Sequence, residues 1–232
     1  YTDRDLGGGY LQSQLYWVDF EGLYGGSYWG DFWGDGRDLS WWDQSQNLSE
    51  KVGGKFSWSR GDLFGLRLRA TVGLDLARDT TSQELIHANL DWVPETTYES
   101  WSPFVQAEWW VLDSVMLTAG LRYERGKLKV DDYLTIPDQR TTPGVHGTRY
   151  LVTGGSPETS ETLPNFGVVW EATDALKLYA SYSEGYTVAD IGRVLRAINR
   201  PGQRVENLVD LQPVIADNQG IGLDYDHGRW LV

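Results

Sequence analysis

Two groups of side chains in this sequence have the chemistry of ligand binding, and the first group is aromatic. Residues 24–44, "YGGSYWGDFWGDGRDLSWWDQ", place tyrosines and tryptophans among glycines and aspartates. Exposed aromatic side chains commonly anchor ligands. The sequence therefore predicts a ligand-binding loop that uses Tyr28, Trp29, Trp33, Trp41 and Trp42. The alternative is a loop that packs on its own aromatics or lies at lipid headgroups.

The second group consists of arginines on a predicted short helix. Apolar residues occupy positions 191, 194, 195 and 198, which is helical spacing. Asp190 is placed to cap the start of this helix, and Pro201 and Gly202 are placed to end it. Arg193, Arg196 and Arg200 would then lie on the polar side of the helix and just beyond it. Guanidinium groups pair with carboxylates in fixed geometry, which favours an anionic ligand. A solvated face and contact with lipopolysaccharide phosphates are the alternatives.

Enzymatic and metal chemistry find little support in the sequence. The aspartates within residues 31–43 lack the spacing of a calcium-binding loop. His87, His146 and His227 are isolated, so none has a neighbour at metal-ligand spacing. There is no cysteine, and no nucleophile elbow or paired-carboxylate pattern occurs. The sequence therefore predicts a protein that is not an enzyme and that carries no metal site and no cofactor.

The elements that must position the candidate ligand-binding groups are predicted to be β-strands. Residues 176–183, "LKLYASYS", alternate between an apolar and a polar side, and side chains along a strand point to opposite faces with period two. Segments 66–77 and 115–126 alternate in the same way. Weaker examples are 10–20, 50–59, 101–111, 163–171 and 219–225. About eight strands are expected, with hardly any helical periodicity outside the loops.

Short and long connections are expected to alternate along the chain. Turns as short as "VLDS" (111–114) and "EATDA" (171–175) join some of the predicted strands. The long connections are expected at about 21–46, 78–97, 130–160 and 187–217. This asymmetry describes an up-and-down antiparallel sheet. In outer-membrane barrels the short turns are periplasmic and the long loops are extracellular.

Composition alone favours a membrane barrel and a Trp-rich soluble β protein, such as a sugar-binding module, about equally. The unequal connections, the charged strand faces and the aromatic residues near strand ends together favour the membrane barrel. Trp and Tyr, at 12 and 13 residues, outnumber the 6 Phe, and their polar-tipped rings suit membrane boundaries. The polar sides of the predicted strands carry charges that suit the interior of a large barrel better than a packed core. These charged residues are Arg67, Arg69, Asp75, Arg122 and Glu124. A sandwich with one solvated face is the alternative. The net charge of −13 argues against nucleic-acid binding.

The last quarter of the sequence adds a family resemblance. "LKLYASYSEGYTVADIGRVLRAINRPG" (176–202) followed by "LQPVIADNQGIGLDY" (211–225) resembles the late barrel of TonB-dependent outer-membrane receptors. "SETLPNFGVVWEATDALKLYASYS" (160–183) and "SPFVQAEWWVLDSVMLTAGLRYE" (102–124) extend the match. Val214 and Gly220 stand where that family usually has glutamate.

The resemblance implies a transmembrane β-barrel in the bacterial outer membrane and a receptor that takes up a ferric siderophore or a similar scarce nutrient. It also implies contact with outer-membrane lipid and lipopolysaccharide, and coupling to the TonB protein through a plug domain. No plug domain, coupling motif or signal peptide is recognised, so residues 1–232 are expected to be one barrel segment. The main alternative is a small closed barrel of about eight strands that acts as a scaffold, an adhesin or a ligand-binding shell. A hydrolase built on such a barrel is a weaker alternative.

Overall fold

The computed structural model describes residues 2–28, 42–135, 149–187, 190–198, 200–208 and 213–226. Its elements in chain order are β1 (Thr2–Leu6), β2 (Gly9–Leu23), β3 (Ser27–Tyr28), β4 (Trp42–Asp43), β5 (Ser45–Arg60), a 3-10 helix (Leu63–Gly65), β6 (Leu68–Leu85), β7 (Leu90–Leu112), β8 (Val115–Val130), β9 (Tyr133–Leu134), β10 (Leu151–Val152), β11 (Glu158–Thr173), β12 (Leu176–Thr187), α1 (Ile191–Arg196), α2 (Val205–Leu208) and β13 (Val214–Tyr225).

Nine strands form one antiparallel sheet in the order β1-β2-β5-β6-β7-β8-β11-β12-β13. The strands β3 with β4, and β9 with β10, form two small two-stranded sheets. Apart from these small strands, neighbours in the sheet are also neighbours in sequence. The all-β, up-and-down architecture predicted from the sequence is therefore confirmed. Within the described residues β1 and β13 are the two edges, so these nine strands form an open, barrel-like sheet.

All eight segments that alternate in the sequence fall on strands of the main sheet. The nine strands agree with the expected number of about eight, and β1 is the strand for which alternation gives no signal. Its sequence, Thr-Asp-Arg-Asp-Leu, has no apolar residue at period two. Its place in the sheet depends on pairing with β2, for example between Thr2 and Gln12. Backbone pairing across a tight turn is not visible in an apolar pattern.

The long connection predicted at 78–97 is wrong. Strands β6 and β7 extend through most of it, and only residues 86–89 connect them. Paired threonine hydroxyls accompany this extension: Thr81 and Thr96 Oγ1 atoms lie 2.9 Å apart, and those of Thr80 and Thr97 lie 3.3 Å apart. Cross-strand threonine pairs stabilise a sheet without apolar alternation. Residues 78–97 lack apolar alternation, and this absence predicts a loop although the segment forms a polar hairpin.

The two faces of the main sheet differ sharply in polarity. One, the apolar face, carries Leu74 and Leu76 of β6, and its residues remain exposed: Leu15 is 77% exposed and Ile221 is 89% exposed. The other, the polar face, carries Asp75 and its cross-strand neighbour Ser102. Because so many large apolar side chains of the apolar face are bare, this face is not covered by any part of the chain that the structure describes.

Aromatic side chains of the apolar face lie in two bands. Trp58, Trp109 and Trp170 lie within the last residues of β5, β7 and β11, at the end of the sheet that has the short turns. Trp17, Trp101 and Tyr123 lie toward the other end, where the long connections are, and the rings of Trp101 and Tyr123 meet edge to face at 5.7 Å. Two aromatic girdles that flank an apolar band are typical of transmembrane β-barrels.

The larger buried apolar cluster of the described residues lies on the polar-face side, at the long-connection end. This loop core consists of Leu128, Val130, Val152, Leu195, Ile198 and Val205. Leu128 and Val130 come from β8, and the other members come from β10, α1, α2 and the residues that follow α1. The described parts of the connections after β8 and β12 thus pack against the sheet through these side chains.

The predicted amphipathic helix is confirmed as α1. Asp190 caps it, because the backbone N–H of Arg193 donates to Asp190 Oδ1 at 3.1 Å. The helix ends at Arg196, earlier than the predicted end at Pro201, and a turn follows in which Gly202 has a φ of 73°. Its Leu195 is 1% exposed in the loop core. Among the described residues, no helix is long and apolar enough to cross a membrane.

Candidate ligand-binding site

A cavity of about 540 Å³, here called the mouth pocket, lies between α1 and the long-connection ends of β2, β5, β6 and β7. Its wall combines aromatic rings with polar groups and arginines. The members that matter for binding are Phe20, Tyr24, Asn47, Trp92, Arg193 and Arg196. Leu195 fixes α1 in the loop core, and this contact holds the arginines of α1 beside the strands.

Arg196 joins α1 to the sheet at the mouth pocket. Its guanidinium lies 4.7 Å from the ring centroid of Trp92, and its Nη1 donates to Gln83 Oε1 at 3.4 Å. Arginine stacks on aromatic faces through its planar, weakly hydrated cation. These contacts cross from α1 to β6 and β7, so Arg196 both positions the helix and presents positive charge to the pocket.

Arg193 has more freedom to meet a ligand. It lines the mouth pocket and also a second cavity of about 660 Å³, which includes Arg200, Gln203 and Leu208. In the part of the chain that the structure describes, no carboxylate lies within ion-pair distance of Arg193. A ligand carboxylate or other anion would therefore not need to displace a described protein partner from this guanidinium.

Asn47 contributes a second polar feature of the mouth pocket. Its Oδ1 is buried, and within the described residues it accepts no hydrogen bond. Buried polar atoms are almost always hydrogen-bonded, and leaving one unsatisfied is costly. Because this oxygen exposes less than 1 Å² to solvent, a ligand in the mouth pocket would reach it only after the Asn47 side chain turns. The sequence offered no signal for Asn47, because it lies on a strand with weak alternation.

The rim of the mouth pocket is held by a buried carboxylate. Asp43 is 0% exposed, and its oxygens accept hydrogen bonds from the backbone N–H groups of Gln44 at 2.8 Å, His87 at 2.9 Å and Ala88 at 3.0 Å. These bonds tie β4 to the connection between β6 and β7. Asp43 is thus a structural acceptor, and the described residues contain no group of three or more potential metal ligands.

Lower on the polar face, an ionic network crosses three strands. Arg122 Nη1 lies 2.8 Å from Asp75 Oδ2, its Nε also donates to Glu124, and Ser102 donates to the same Glu124 carboxylate. The Arg122 guanidinium lies 5.8 Å from the ring centroid of Phe104. Three of the charges predicted to face a polar interior, Asp75, Arg122 and Glu124, therefore pair with one another on the polar face, whereas Arg67 pairs with Asp113 and Arg69 with Glu108. Near the loop core, burial raises the pKa of Tyr133 above its ordinary value, and its hydroxyl donates to the Leu195 carbonyl at 3.2 Å.

Comparison with known proteins identifies the family of this chain. The family model described as "TonB dependent receptor-like, beta-barrel" matches residues 1–232. The chain belongs to the TonB-dependent receptor family. This family comprises receptors and transporters, in agreement with the prediction that the chain is not an enzyme.

Solved receptor structures agree with the family in fold. The copper transporter OprC has a TM-score of 0.68 at 14% identity, over 98% of this chain and 35% of that one. The hemophore receptor HasR of Serratia marcescens has a TM-score of 0.66 at 17% identity, over 95% of this chain and 34% of that one. The FrpB iron transporter of Neisseria meningitidis, as apoprotein, has a TM-score of 0.61 at 17% identity, over 98% of this chain and 34% of that one. This chain thus spans about a third of the length of each of these receptors.

The predicted site residues have different outcomes in this receptor chain. Arg193 and Arg196 meet at the mouth pocket, and Arg200 lines the second cavity. Tyr28 and Trp42 are cross-strand partners in the backbone of β3 and β4. Trp29, Trp33 and Trp41 lie outside the described residues. The assignment of all eight to ligand binding stays a prediction, and Asn47, Phe20 and Trp92 are additional candidates that sequence reasoning missed.

Proposed function

We propose that this chain is a barrel segment of an outer-membrane receptor that takes up a ferric siderophore or a similar scarce, metal-carrying nutrient. The observation that carries this proposal is the family match over the whole chain. The exposed apolar face between two aromatic bands supports the outer-membrane location. The three predicted partners of such a receptor are lipopolysaccharide, the nutrient complex and the TonB protein, which would act through a plug domain.

The mouth pocket is the part of this segment best suited to the nutrient. Aromatic rings of Phe20, Tyr24 and Trp92 offer apolar contact, and Arg193 offers a cation. The Asn47 side chain adds a polar group to the pocket wall. Iron-binding chelates that carry carboxylates and hydroxyl or amide groups combine these features. The pocket therefore favours an anionic, partly aromatic or apolar chelate over a bare metal ion.

The alternative of a small closed barrel is less well supported. The nine described strands leave β1 and β13 as edges, and the matched receptors extend well beyond the aligned third. A segment of a larger barrel accounts for both observations. The charged network around Arg122 also fits the interior of a wide barrel better than a narrow lumen filled by packed side chains.

The test uses the protein with its natural flanking sequence, purified in detergent. Ferric carboxylate, hydroxamate and catecholate siderophores are titrated while tryptophan fluorescence is followed. We expect one class to bind, and Arg193→Gln to weaken that binding about tenfold, because a charge-assisted hydrogen bond is lost. Arg67→Gln is the matched control, since Arg67 is an exposed arginine at the turn end, 2.7 Å from Asp113.

Two results would argue against the proposal. If no siderophore class or other metal chelate binds, the nutrient assignment fails. If Arg67→Gln weakens binding as much as Arg193→Gln does, the effect is one of net charge, and the mouth pocket is not the site.

A further inference from the structure

The connection between β12 and β13 carries a cluster of arginines that no described carboxylate neutralises. The cluster consists of Arg193, Arg196, Arg200 and Arg204, and none of them forms an ion pair within the described residues. Nine cations elsewhere each pair with a carboxylate: Lys51, Arg67, Arg69, Arg78, Arg122, Arg125, Lys127, Lys129 and Lys177. Three other described cations also lack an ion pair but are scattered along the sequence: Lys55, Arg60 and Arg149. In a chain of net charge −13, such a cluster is available to an anion from outside the chain.

The described part of this connection contains two carboxylates, and neither neutralises the arginine cluster. Asp190 Oδ1 accepts the backbone N–H of Arg193 at 3.1 Å, so this carboxylate is engaged as the cap of α1. The Glu206 side chain lies against Gly155, where an added Cβ atom would be 2.7 Å from Glu206 Cγ. Four arginines against two carboxylates leave an excess of positive charge at this place.

Two cavities meet at Arg193. The mouth pocket has Arg196 in its wall, and the second cavity, of about 660 Å³, has Arg200 in its wall. Asp190 and Arg193 line both cavities, so the two are neighbours. One guanidinium therefore lies at the boundary of the two cavities, and another lies in the second cavity beyond it.

The second cavity differs from the mouth pocket in its apolar groups. Its apolar lining is aliphatic and consists of Val194, Ala197, Ile198 and Leu208. The mouth pocket is lined by aromatic rings instead. Guanidinium groups bind carboxylates in a planar, two-pronged geometry. An aliphatic wall with two guanidinium groups therefore suits the methylene and carboxylate groups of an aliphatic acid.

The backbone that carries these arginines is fixed by packing and hydrogen bonds. Leu195 is 1% exposed and Val205 is 0% exposed in the loop core. The N–H of Thr153 donates to the Gln203 carbonyl at 3.0 Å, and the N–H of Val205 donates to the Thr153 carbonyl at 2.9 Å. A ligand would not need to order this backbone, which lowers the entropic cost of binding.

The loop core places the arginine cluster on the polar-face side of the sheet, because Leu195 packs there with Leu128 and Val130 of β8. Lipid that covers the apolar face lies on the other side of the wall. The anion that meets these arginines is therefore a solute at the mouth of the sheet.

We propose that the second cavity is a carboxylate-binding subsite and that the nutrient is a polycarboxylate chelate that spans both cavities. One carboxylate lies at Arg193 on the boundary, and another lies at Arg200. The inference rests on the proposed function, since it names the class of chelate that the same mouth takes up.

The test uses the protein with its natural flanking sequence in detergent, with tryptophan fluorescence as the readout for three ferric chelates. Ferric citrate carries several carboxylates, ferrioxamine B is a hydroxamate complex without carboxylates, and ferric enterobactin is a catecholate polyanion without carboxylates. We expect ferric citrate to bind most tightly. Arg200→Gln should weaken its binding about tenfold, and the double variant Arg193→Gln, Arg200→Gln about a hundredfold, because each change removes one charge-assisted contact.

Two further variants separate position and geometry from charge. Arg204→Gln is the matched control, because Arg204 is an exposed, unpaired arginine of the same connection that lines neither cavity. Its affinity for ferric citrate should stay unchanged. Arg200→Lys keeps the charge but loses the planar fork of the guanidinium, so it should recover only part of the loss. Heat-dependent gel mobility shows whether each variant still forms its barrel.

Each other result overturns the inference in its own way. Tightest binding of ferrioxamine B or ferric enterobactin removes the carboxylate assignment and leaves the proposed function standing. Loss in Arg193→Gln without loss in Arg200→Gln shows that the second cavity is not part of the site. Equal loss in Arg204→Gln, or full recovery in Arg200→Lys, shows that charge alone decides. If no metal chelate binds at all, the proposed function fails together with the inference.

Discussion

Leucine occupies two opposite surroundings in this chain. Leu15 on the apolar face is 77% exposed, whereas Leu195 in the loop core is 1% exposed. The loop core buries its apolar side chains against other parts of the same chain, as any water-soluble core does. The apolar face leaves them bare over the length of the sheet. The comparison teaches that the long connections carry their own packed core, while the apolar face of the strands has no cover within the described chain.

The largest effect is expected for Leu195→Ala, which tests whether the loop core is packed. Removing a fully packed leucine side chain leaves a cavity, and we expect a loss of about 2–5 kcal/mol from the stability of the loop core. Hydrogen exchange of the α1 amides would report the loss. Leu15→Ala is the control, because an exposed leucine leaves no cavity and α1 should not respond. Unchanged exchange in Leu195→Ala would show that the loop core is not packed.

A charge on the apolar face tests the other half of the comparison. Val105 is 46% exposed between Trp101 and Trp109, in the middle of the band between the aromatic girdles. Val105→Arg should destabilise the barrel in lipid by about 2–4 kcal/mol, as measured by urea titration in vesicles. Gln106→Arg is the matched control, since Gln106 is the next residue on β7 and faces the polar side. Equal effects from the two variants would contradict the assignment of the faces.

Asp43 lies in a third environment. It is a buried polar residue that belongs neither to the apolar face nor to the loop core. Asp43→Ala leaves three backbone N–H groups without their acceptor, and we expect a local loss of about 1–3 kcal/mol. The expected signature is faster hydrogen exchange at His87 and Ala88, with α1 unchanged. Asp43→Asn should lose less, because it keeps one acceptor. If α1 responds as strongly as His87 does, the rim and the loop core form one cooperative unit.

The smallest effect is expected in the polar hairpin at the tops of β6 and β7. Thr81 and Thr96 form a hydroxyl pair at 2.9 Å, and Thr96 is 7% exposed. A double-mutant cycle of Thr81→Ala and Thr96→Ala should give a coupling free energy of about 0.2–1 kcal/mol. The measurement is the free energy of unfolding of the four proteins. A coupling near zero would show that the extension is maintained by the backbone ladder alone.

Sequence reasoning could predict the strands wherever one face is apolar. Alternation identified β8 and β12 closely, and the spacing from 191 to 198 with Asp190 identified α1. It failed at β1 and at the tops of β6 and β7, where residues 79–83 and 94–97 carry no large apolar side chain. A period-two apolar pattern reports burial in a core or in lipid. It cannot report strands that are held by backbone pairing and threonine contacts.

The candidate site was predictable only within one segment at a time. Arg193 and Arg196 were found because they share a short helix with clear spacing. Their partners were not, since Gln83 lies 113 residues from Arg196 in sequence and meets it only through the fold. Asn47 became a candidate only because burial left its oxygen without a partner. Such properties arise from three-dimensional packing and have no local signature.

The distance between the two aromatic bands also indicates the thickness of the apolar layer that the sheet would match. Trp101 and Trp109 lie eight positions apart on β7, which corresponds to about 27 Å along an antiparallel strand. A strand tilted by about 40°, as in outer-membrane barrels, would place the two rings roughly 20 Å apart along the membrane normal, against the usual apolar band of about 25 Å. A bilayer beside this part of the wall would therefore thin locally to match it. The spacing of the two bands would then set the local thickness of the membrane beside β7.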